Sequence, residues 1–369
     1  MLTYASLIAE VATTFHTLHG ILPLVATDAL TLCVTLLLFF QAFSYVVGFM
    51  TGWWSIVDRI WSISPALYVV VFYAFHPENA TLTAMALLAS LWSLRLTLNF
   101  ARKGGFGEIS PATEDYRWSI VREWMSTNLP PHPIGTVLRE AFHFFFVAVY
   151  QNALLWLQVV PACMLVAKAP PSGPPTPAVA ALVLAFLALL FLEHTTDEQQ
   201  WAFQSKKHAL TPQQRAVAGG DYARGFCTSG IFRYSRHANF FAEQSLWWVF
   251  WGFGVVARGS AAGGPLSSLS ALAADPSILG PLLLTLLFQG STTLTESITL
   301  GKYPEYKLYQ ATTSRLIPWF PAPSALLGEE EGGSSSSSAA TTTTAAAAAA
   351  AKATPVKGGG KRASSKARK

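Results

Sequence analysis

The sequence predicts an all-α, polytopic integral membrane protein of about seven transmembrane helices with a disordered C-terminal tail. Three observations predict it. Of the 369 residues 51% are apolar and only 12% charged, and 12 are Trp, a composition of membrane proteins. Residues 29–57, 60–77, 79–94, 141–167, 169–192, 244–257 and 276–295 hold no Asp, Glu, Lys or Arg. Several of these runs reach or approach the ~20 residues that cross hydrocarbon, and the shorter ones must borrow flanking polar residues. The basic residues, finally, segregate to one side. If residues 1–27 lie outside, all 25 Lys and Arg except Arg95, Lys168 and Arg258 fall in the pieces 51–59, 99–140, 194–236 and 296–369, which the positive-inside rule assigns to the cytosol.

Taken in order, residues 1–27 form a non-cytosolic segment with no basic residue, since the first is Arg59, so neither a secretory signal nor a transit peptide is expected. The membrane-embedded domain is expected over 28–321. Its first spans carry Asp58, flanked by Trp54 and Trp61, and Arg95, followed at helical spacing by Asn99 and Arg102. Residues 101–140 balance five basic and five acidic side chains and read as a cytosolic loop or surface helix. Gln151 and Asn152 sit within the next span, where a neutral polar pair ties helices together more often than it binds a ligand.

The span that ends near Leu192 runs into Glu193, Asp197, Gln200 and Gln204, which share one face if the helix continues. Two carboxylates four residues apart repel unless something donates to them. A ribose, an amide or an arginine such as Arg233 or Arg236 would do so, and a solvated helix extension is the alternative. Residues 236–257 put Arg236, Asn239 and Glu243 on a common face ahead of Trp247, Trp248, Phe250 and Trp251. A carboxylate at mid-bilayer costs roughly 2.5–3.5 kcal/mol, so Glu243 calls for a partner or a wet pocket, the alternative being an interfacial anchor. After the last span come Glu296, Lys302-Tyr-Pro-Glu-Tyr306 and Arg315 in an aromatic segment that closes a pocket or lies on the interface.

Residues 322–369 read as a disordered, low-complexity basic tail with seven basic and three acidic groups, most of the formal charge of +5. Nucleic-acid binding is not expected, because basic residues without a folded reading surface more simply serve sidedness or anionic lipid. Cys33, Cys163 and Cys227 are far apart and form neither a disulfide framework nor a zinc pattern. His16 and His19 lack a carboxylate motif for a metal site, and Gly104, Gly105 and Gly107 lack the strand and helix of a dinucleotide fold.

Val57-Asp-Arg-Ile-Trp61, Glu114-Asp-Tyr-Arg-Trp118, Asp197-Glu-Gln-Gln-Trp201, Ser235-Arg-His-Ala-Asn239 through Glu243, and Lys302-Tyr-Pro-Glu-Tyr306 through Pro318 occur in that order. With them the chain resembles the steroid 5-alpha-reductase superfamily over roughly residues 50–321, most closely its uncharacterised domain-of-unknown-function branch. The resemblance implies a polytopic helical reductase that takes NADPH from the cytosol and saturates a conjugated carbon-carbon double bond in a sterol or other lipid. It implies a cofactor pocket of Glu193, Asp197, Asn239 and Glu243, an intramembrane Arg95, and Arg315 before the Ile-Pro ending, with Arg233, Arg236 and Arg315 as phosphate readers. Asp58 falls where the reductases keep a substrate-facing glutamate, so Asp58 and Arg95 are the catalytic candidates.

Departures from that pattern matter. Trp92 stands where a tyrosine is expected, and an indole cannot give up a proton as a phenol does, leaving Asp58 alone or another tyrosine such as Tyr45 or Tyr68. Ala242 replaces a common glycine, and Glu296 lies near where basic or imidazole groups are expected. Two other functions stay open: a non-catalytic lipid-binding or scaffold protein of the same fold, and a methyltransferase like the isoprenylcysteine carboxyl methyltransferases, whose Arg-His-Pro signature meets Ala238 here. The expected partners are a lipidic substrate and membrane lipids. The expected location is the endoplasmic reticulum with a cytosolic C-terminus, although the terminal Lys366-Ala-Arg-Lys369 forms no retention signal.

Overall fold

A computed structural model describes residues 28–109, 114–168, 176–261 and 275–322. The expectations for residues 1–27 and for the tail lie outside the described residues, apart from position 322. The chain divides into two units, Met1–Pro323 and Ser324–Lys369, and every described residue belongs to the first.

Every regular element among the described residues is helical. α1 (Ala29–Thr51) starts where the Asp28 carboxylate accepts from Thr31 N and stops at Gly52, whose φ of 67° breaks the helix. α2 (Ile56–Trp61) and α3 (Ser64–Phe75) follow, with Pro65 in the first turn of α3, where its missing N–H does no harm. α4 (Ala80–Arg102) is capped by Asn79 and α5 (Tyr116–Asn128) by Asp115. α6 (Ile134–Leu157) winds as a π-helix over His143–Tyr150 and bends by 46° into α7 (Val160–Lys168). α8 (Pro177–Ala209) is capped by Thr176, and α9 (Pro212–Ala218) carries a Thr211/Gln214 capping box. The chain then forms α10 (Gly220–Arg224), a 3-10 turn (Gly230–Arg233), α11 (Ala238–Ala261), α12 (Leu279–Lys302) and α13 (Tyr306–Thr312).

Among the described residues five helical stretches can cross a membrane by length and composition: α1, α2 with α3, α4, α8, and Pro276–Lys302; the bent α6–α7 pair makes a sixth. The expected count of seven is not confirmed. The expected span outside that set is α11, which is helical over 24 residues but opens with Asn239, Glu243 and Gln244 and takes much of its bulk from Trp. Indole is amphipathic and suits helix contacts and interfaces better than hydrocarbon. α1 instead turns Leu38, Phe39, Val46, Phe49 and Met50 outward, a face fit for lipid.

α11 lies at the centre, packed against α4, α7, α8 and α12, and most extensively against α8; α3 and α4 form a second close pair. Trp92, Trp247, Phe250, Phe253 and Phe186 fill the space between these helices. Polar ties fasten the edges of this core. Trp248 and Trp251 donate to Thr285 Oγ1 and Ser277 Oγ at 3.0 and 3.1 Å, and Ser93 donates to Ser62 O at 2.6 Å. Between transmembrane helices, where lipid is as apolar as leucine, such bonds and close backbone approach hold the bundle.

Gly280 marks a close approach of backbone to backbone between elements, since a Cβ there would collide with Leu157 and Gln158 at the α6–α7 bend. Gly290, on the same helix, faces open space. Gly280→Ala should destabilise the protein by about 1–3 kcal/mol, because backbone cannot step aside as a side chain can. Gly290→Ala should be neutral or slightly stabilising, and thermal unfolding of both variants in one detergent checks the contrast.

Candidate functional site

Three helices each contribute two polar side chains four residues apart, a spacing that stacks them on one face. They are Arg95 and Asn99 on α4, Glu193 and Asp197 on α8, and Asn239 and Glu243 on α11. The Arg95 guanidinium meets Glu193 Oε1 at 2.6 Å and Asp197 Oδ2 at 2.7 Å. Asp197 also accepts from Asn99 Nδ2 at 2.8 Å and from Asn239 Nδ2 at 3.3 Å. Glu243 is held differently, by two indoles: Trp92 Nε1 at 2.8 Å and Trp247 Nε1 at 3.0 Å, whose rings pack edge to face. Toward the end of α4, Arg102 donates to Asn99 Oδ1, pairs with Glu198 and lies over the Trp201 ring.

Glu193, Asp197 and Glu243 are buried, so this is a closed polar centre inside the bundle. Its charges do not balance. One guanidinium, Arg95, faces three carboxylates, those of Glu193, Glu243 and Asp197. Three buried atoms of the centre, Glu193 Oε2, Arg95 Nε and Arg95 Nη2, have no hydrogen-bond partner, although Nη2 is ion-paired with Glu193 Oε1. The centre therefore leaves both a carboxylate oxygen and guanidinium N–H groups unfilled, which suits a ligand that donates and accepts.

Arg236 stands apart from this centre. Its guanidinium pairs with Glu296 at 2.7 and 3.3 Å and donates to the carbonyls of Gln310 and Thr313, while its own N–H binds Ser314 O. Glu296 in turn accepts from Gln310 Nε2 and Tyr306 O–H and lies 3.0 Å from His237 Nε2. Arg315 donates to Gln289 O at 2.9 Å and Thr293 Oγ1 at 2.7 Å. Arg233, on the 3-10 turn, is exposed and has no hydrogen bond or ion pair among the described residues.

Asp58 also lies in a separate cluster. Its carboxylate accepts from Trp118 Nε1 at 3.1 Å. Beside it Glu114 accepts from Trp54 N and pairs with Arg122, Asp115 N donates to Ser55 Oγ, and Arg117 pairs with Asp115. Two of the sequence motifs thus fold onto each other. Trp54 links them to α6 by stacking on His143.

Of the nine site residues expected from sequence, the structure brings together Arg95, Glu193, Asp197, Asn239 and Glu243. It holds Arg236 and Arg315 in contacts with the C-terminal segment and α12, leaves Arg233 exposed, and sets Asp58 with Trp118. Sequence reasoning noted Asn99 by its spacing but not its bond to Asp197. It missed the role of Trp92 as a donor to Glu243, and also Lys207, a buried ammonium that donates to Gly225 O at 2.8 Å and lies over the Phe203 and Tyr303 rings. A Lys206-Lys207 pair signals sidedness in a sequence, and nothing local marks one member as buried.

The 219–231 loop is organised by Asp221, which accepts from Thr228 N, Thr228 Oγ1, Ser229 N and Arg224. Gln199 on α8 braces the same loop, accepting from Ile231 N and donating to Ser229 O. This turn is what hands the chain from α8 to the start of α11.

A buried polar centre assembled by intramembrane helices defines a helical, multi-pass membrane protein, and comparison with known proteins places it further. The chain belongs to the family described as "Protein of unknown function (DUF1295)", whose model matches residues 44–313, within the steroid 5-alpha-reductase-like group. It is 33% identical over 273 residues to an uncharacterised protein of Schizosaccharomyces pombe, covering 72% of each chain. No solved structure matches it.

Burial alone would raise the Asp221 carboxyl, but the bonds from Thr228, Arg224 and Ser229 outweigh it and hold it below its usual value of 3.8. A carboxylate depressed by folding adds stability above the unfolded value and loses it as pH falls through the folded one. Asp221→Asn should therefore cost about 2 kcal/mol at neutral pH. The gap from wild type should narrow as pH drops below about 4, which thermal melts across pH will read.

Proposed function

We propose that the protein is an NADPH-dependent membrane reductase acting on a conjugated carbon-carbon double bond of a sterol or other lipid. One observation carries this reading: the polar pairs of α4, α8 and α11 converge on a buried centre with unfilled polar atoms. A carboxamide and ribose hydroxyls both donate and accept, as those atoms require, and the Asn239 amide complements a carboxamide. The fit is best for the nicotinamide half. Toward phosphate, Arg233 is free to bind, whereas Arg236 and Arg315 are engaged within the protein and would have to release Glu296, Gln289 or Thr293.

When bound, the reduced cofactor supplies a hydride. The chain's part is positional and electrostatic. Asp197 and Asn239 orient the ligand, the two indoles fix Glu243, and the aromatic walls of α4 and α11 keep out water, which strengthens every charge inside. A lipidic substrate reaches the centre from the bilayer. The excess of Lys and Arg on one side supports a cytosolic face for Arg233 and for the C-terminus, and an endoplasmic reticulum location follows only from the resemblance.

One observation favours a second reading, a lipid-binding or scaffold protein of the same fold. Trp92 occupies the Glu243 carboxylate with an N–H that cannot serve as an acid. Titration of the purified protein with NADPH separates the two. Binding that Asn239→Ala weakens about tenfold, near 1.4 kcal/mol, is expected from the reductase reading. Absence of NADPH binding refutes it, and S-adenosylmethionine binding in its place would favour a methyltransferase.

A further inference from the structure

Glu193 and Glu243 face each other across α8 and α11, the most extensively packed helix pair among the described residues. Around them stand Arg95 and, at the end of its helix, Lys103 from α4, with Asp197 and His194 on α8 itself. Among the described residues Arg95 is the cation paired with Glu193, through Oε1, and it is shared with Asp197. Both Glu243 oxygens are taken by indole N–H groups, which are neutral donors. Glu193 Oε2 has no donor at all.

Arg95 is the cation paired directly with this group of three carboxylates, Lys103 being exposed at the helix end, so full ionisation would leave charge uncompensated in a dry interior, at a larger cost than binding one proton. Glu193 Oε2 is the carboxylate oxygen of this group without a donor, and so the one free to carry a proton. We propose that Glu193 and Glu243 form a carboxyl pair holding a single proton between them, with Glu193 Oε2 as its resting place. Two carboxylates sharing one apolar site repel each other, and one proton between them relieves that repulsion.

The pair deepens the reductase reading and, for its chemical role, rests on it. Conjugate reduction needs one hydride and one proton, and Trp92 cannot give the proton. With the reduced cofactor bound to supply the hydride and its electron pair, the Glu193–Glu243 pair would give the proton to the substrate, breaking the carboxyl O–H bond. Left ionised beside Arg95, it would regain a proton from solvent. Glu193 is then a proton donor that the position of Asp58, bonded to Trp118 in its own cluster, does not replace.

Infrared spectroscopy of the full-length protein in lipid vesicles at neutral pH tests the proton directly and needs neither cofactor nor substrate. The expected result is a carbonyl band of a protonated carboxylic acid that shifts in D2O, persists in Asp58→Asn and disappears in Glu193→Gln, whose amide mimics the neutral form. Should Glu193→Gln fail to fold, Glu243→Gln reads the same pair and should also remove the band. No such band in wild type, its loss in Asp58→Asn, or its survival in the Glu193 or Glu243 variant would overturn the proposal. A band of this kind in a protein that binds no NADPH would sink the reductase reading and leave the proton pair standing.

Discussion

A buried guanidinium that has to be neutralised sets the arrangement of this protein. Arg95 sits within α4, and taking its charge out of water is tolerable only because α8 presents Glu193 and Asp197 at 2.6 and 2.7 Å. Removing one member of such a buried pair typically costs about 3–5 kcal/mol, so the register of α4 against α8 is fixed. Asp197 then has capacity left to recruit Asn99 and Asn239, and through Asn239 it fixes the register of α11. One helix turn further along α11, Glu243 meets the indoles of Trp92 and Trp247. Charge, amide and indole thus bind three helices at one depth.

A second lock closes the same end of the bundle. Arg236 and Glu296 join the start of α11 to α12, and Gln310, Tyr306 and the Thr313 carbonyl fold the C-terminal segment over them. Tyr309 donates to the Phe232 carbonyl, and Ser235 Oγ donates to Leu316 O at 2.6 Å, so the turn before α11 and the end of the domain are stitched together. Lys207, under the Gly225 carbonyl and the Tyr303 ring, anchors the far end of α8 to this assembly. Phe226, Tyr306 and Tyr309 pack together beside these bonds, so the segment is held by hydrogen bonds and aromatic contacts at once.

Much of the centre was legible from spacing. Arg95 with Asn99, Glu193 with Asp197, and Asn239 with Glu243 are all four apart, and a helix periodicity puts each pair on one face without knowledge of the fold. What spacing cannot supply is the partner across sequence. Arg236 is only three residues before Asn239 and looks like part of the same face, yet the chain turns there, and α11 starts at Ala238, so Arg236 points to Glu296 instead. From sequence Asp58 belongs beside the reactive centre, but its carboxylate is taken by Trp118, a contact 60 residues distant that depends on how the 114–118 motif folds back. The count of seven spans is unconfirmed for another reason: a run without charges reads as a span, whereas α11 carries amides and indoles that suit contacts with other helices. All-helical, multi-pass architecture is robust to that difference because it rests on several long apolar runs.

As a ligand site, and not merely a clasp between helices, the Arg95-centred convergence of α4, α8 and α11 is tested most directly by cryo-electron microscopy of the protein in lipid nanodiscs with and without NADPH. Density for the cofactor's carboxamide and adjoining ribose against Asn239, Asp197 and Glu243, absent from the sample without NADPH, is the predicted result. An unchanged network with no density beside it, or cofactor density at another place, would contradict a ligand-binding role for these helices.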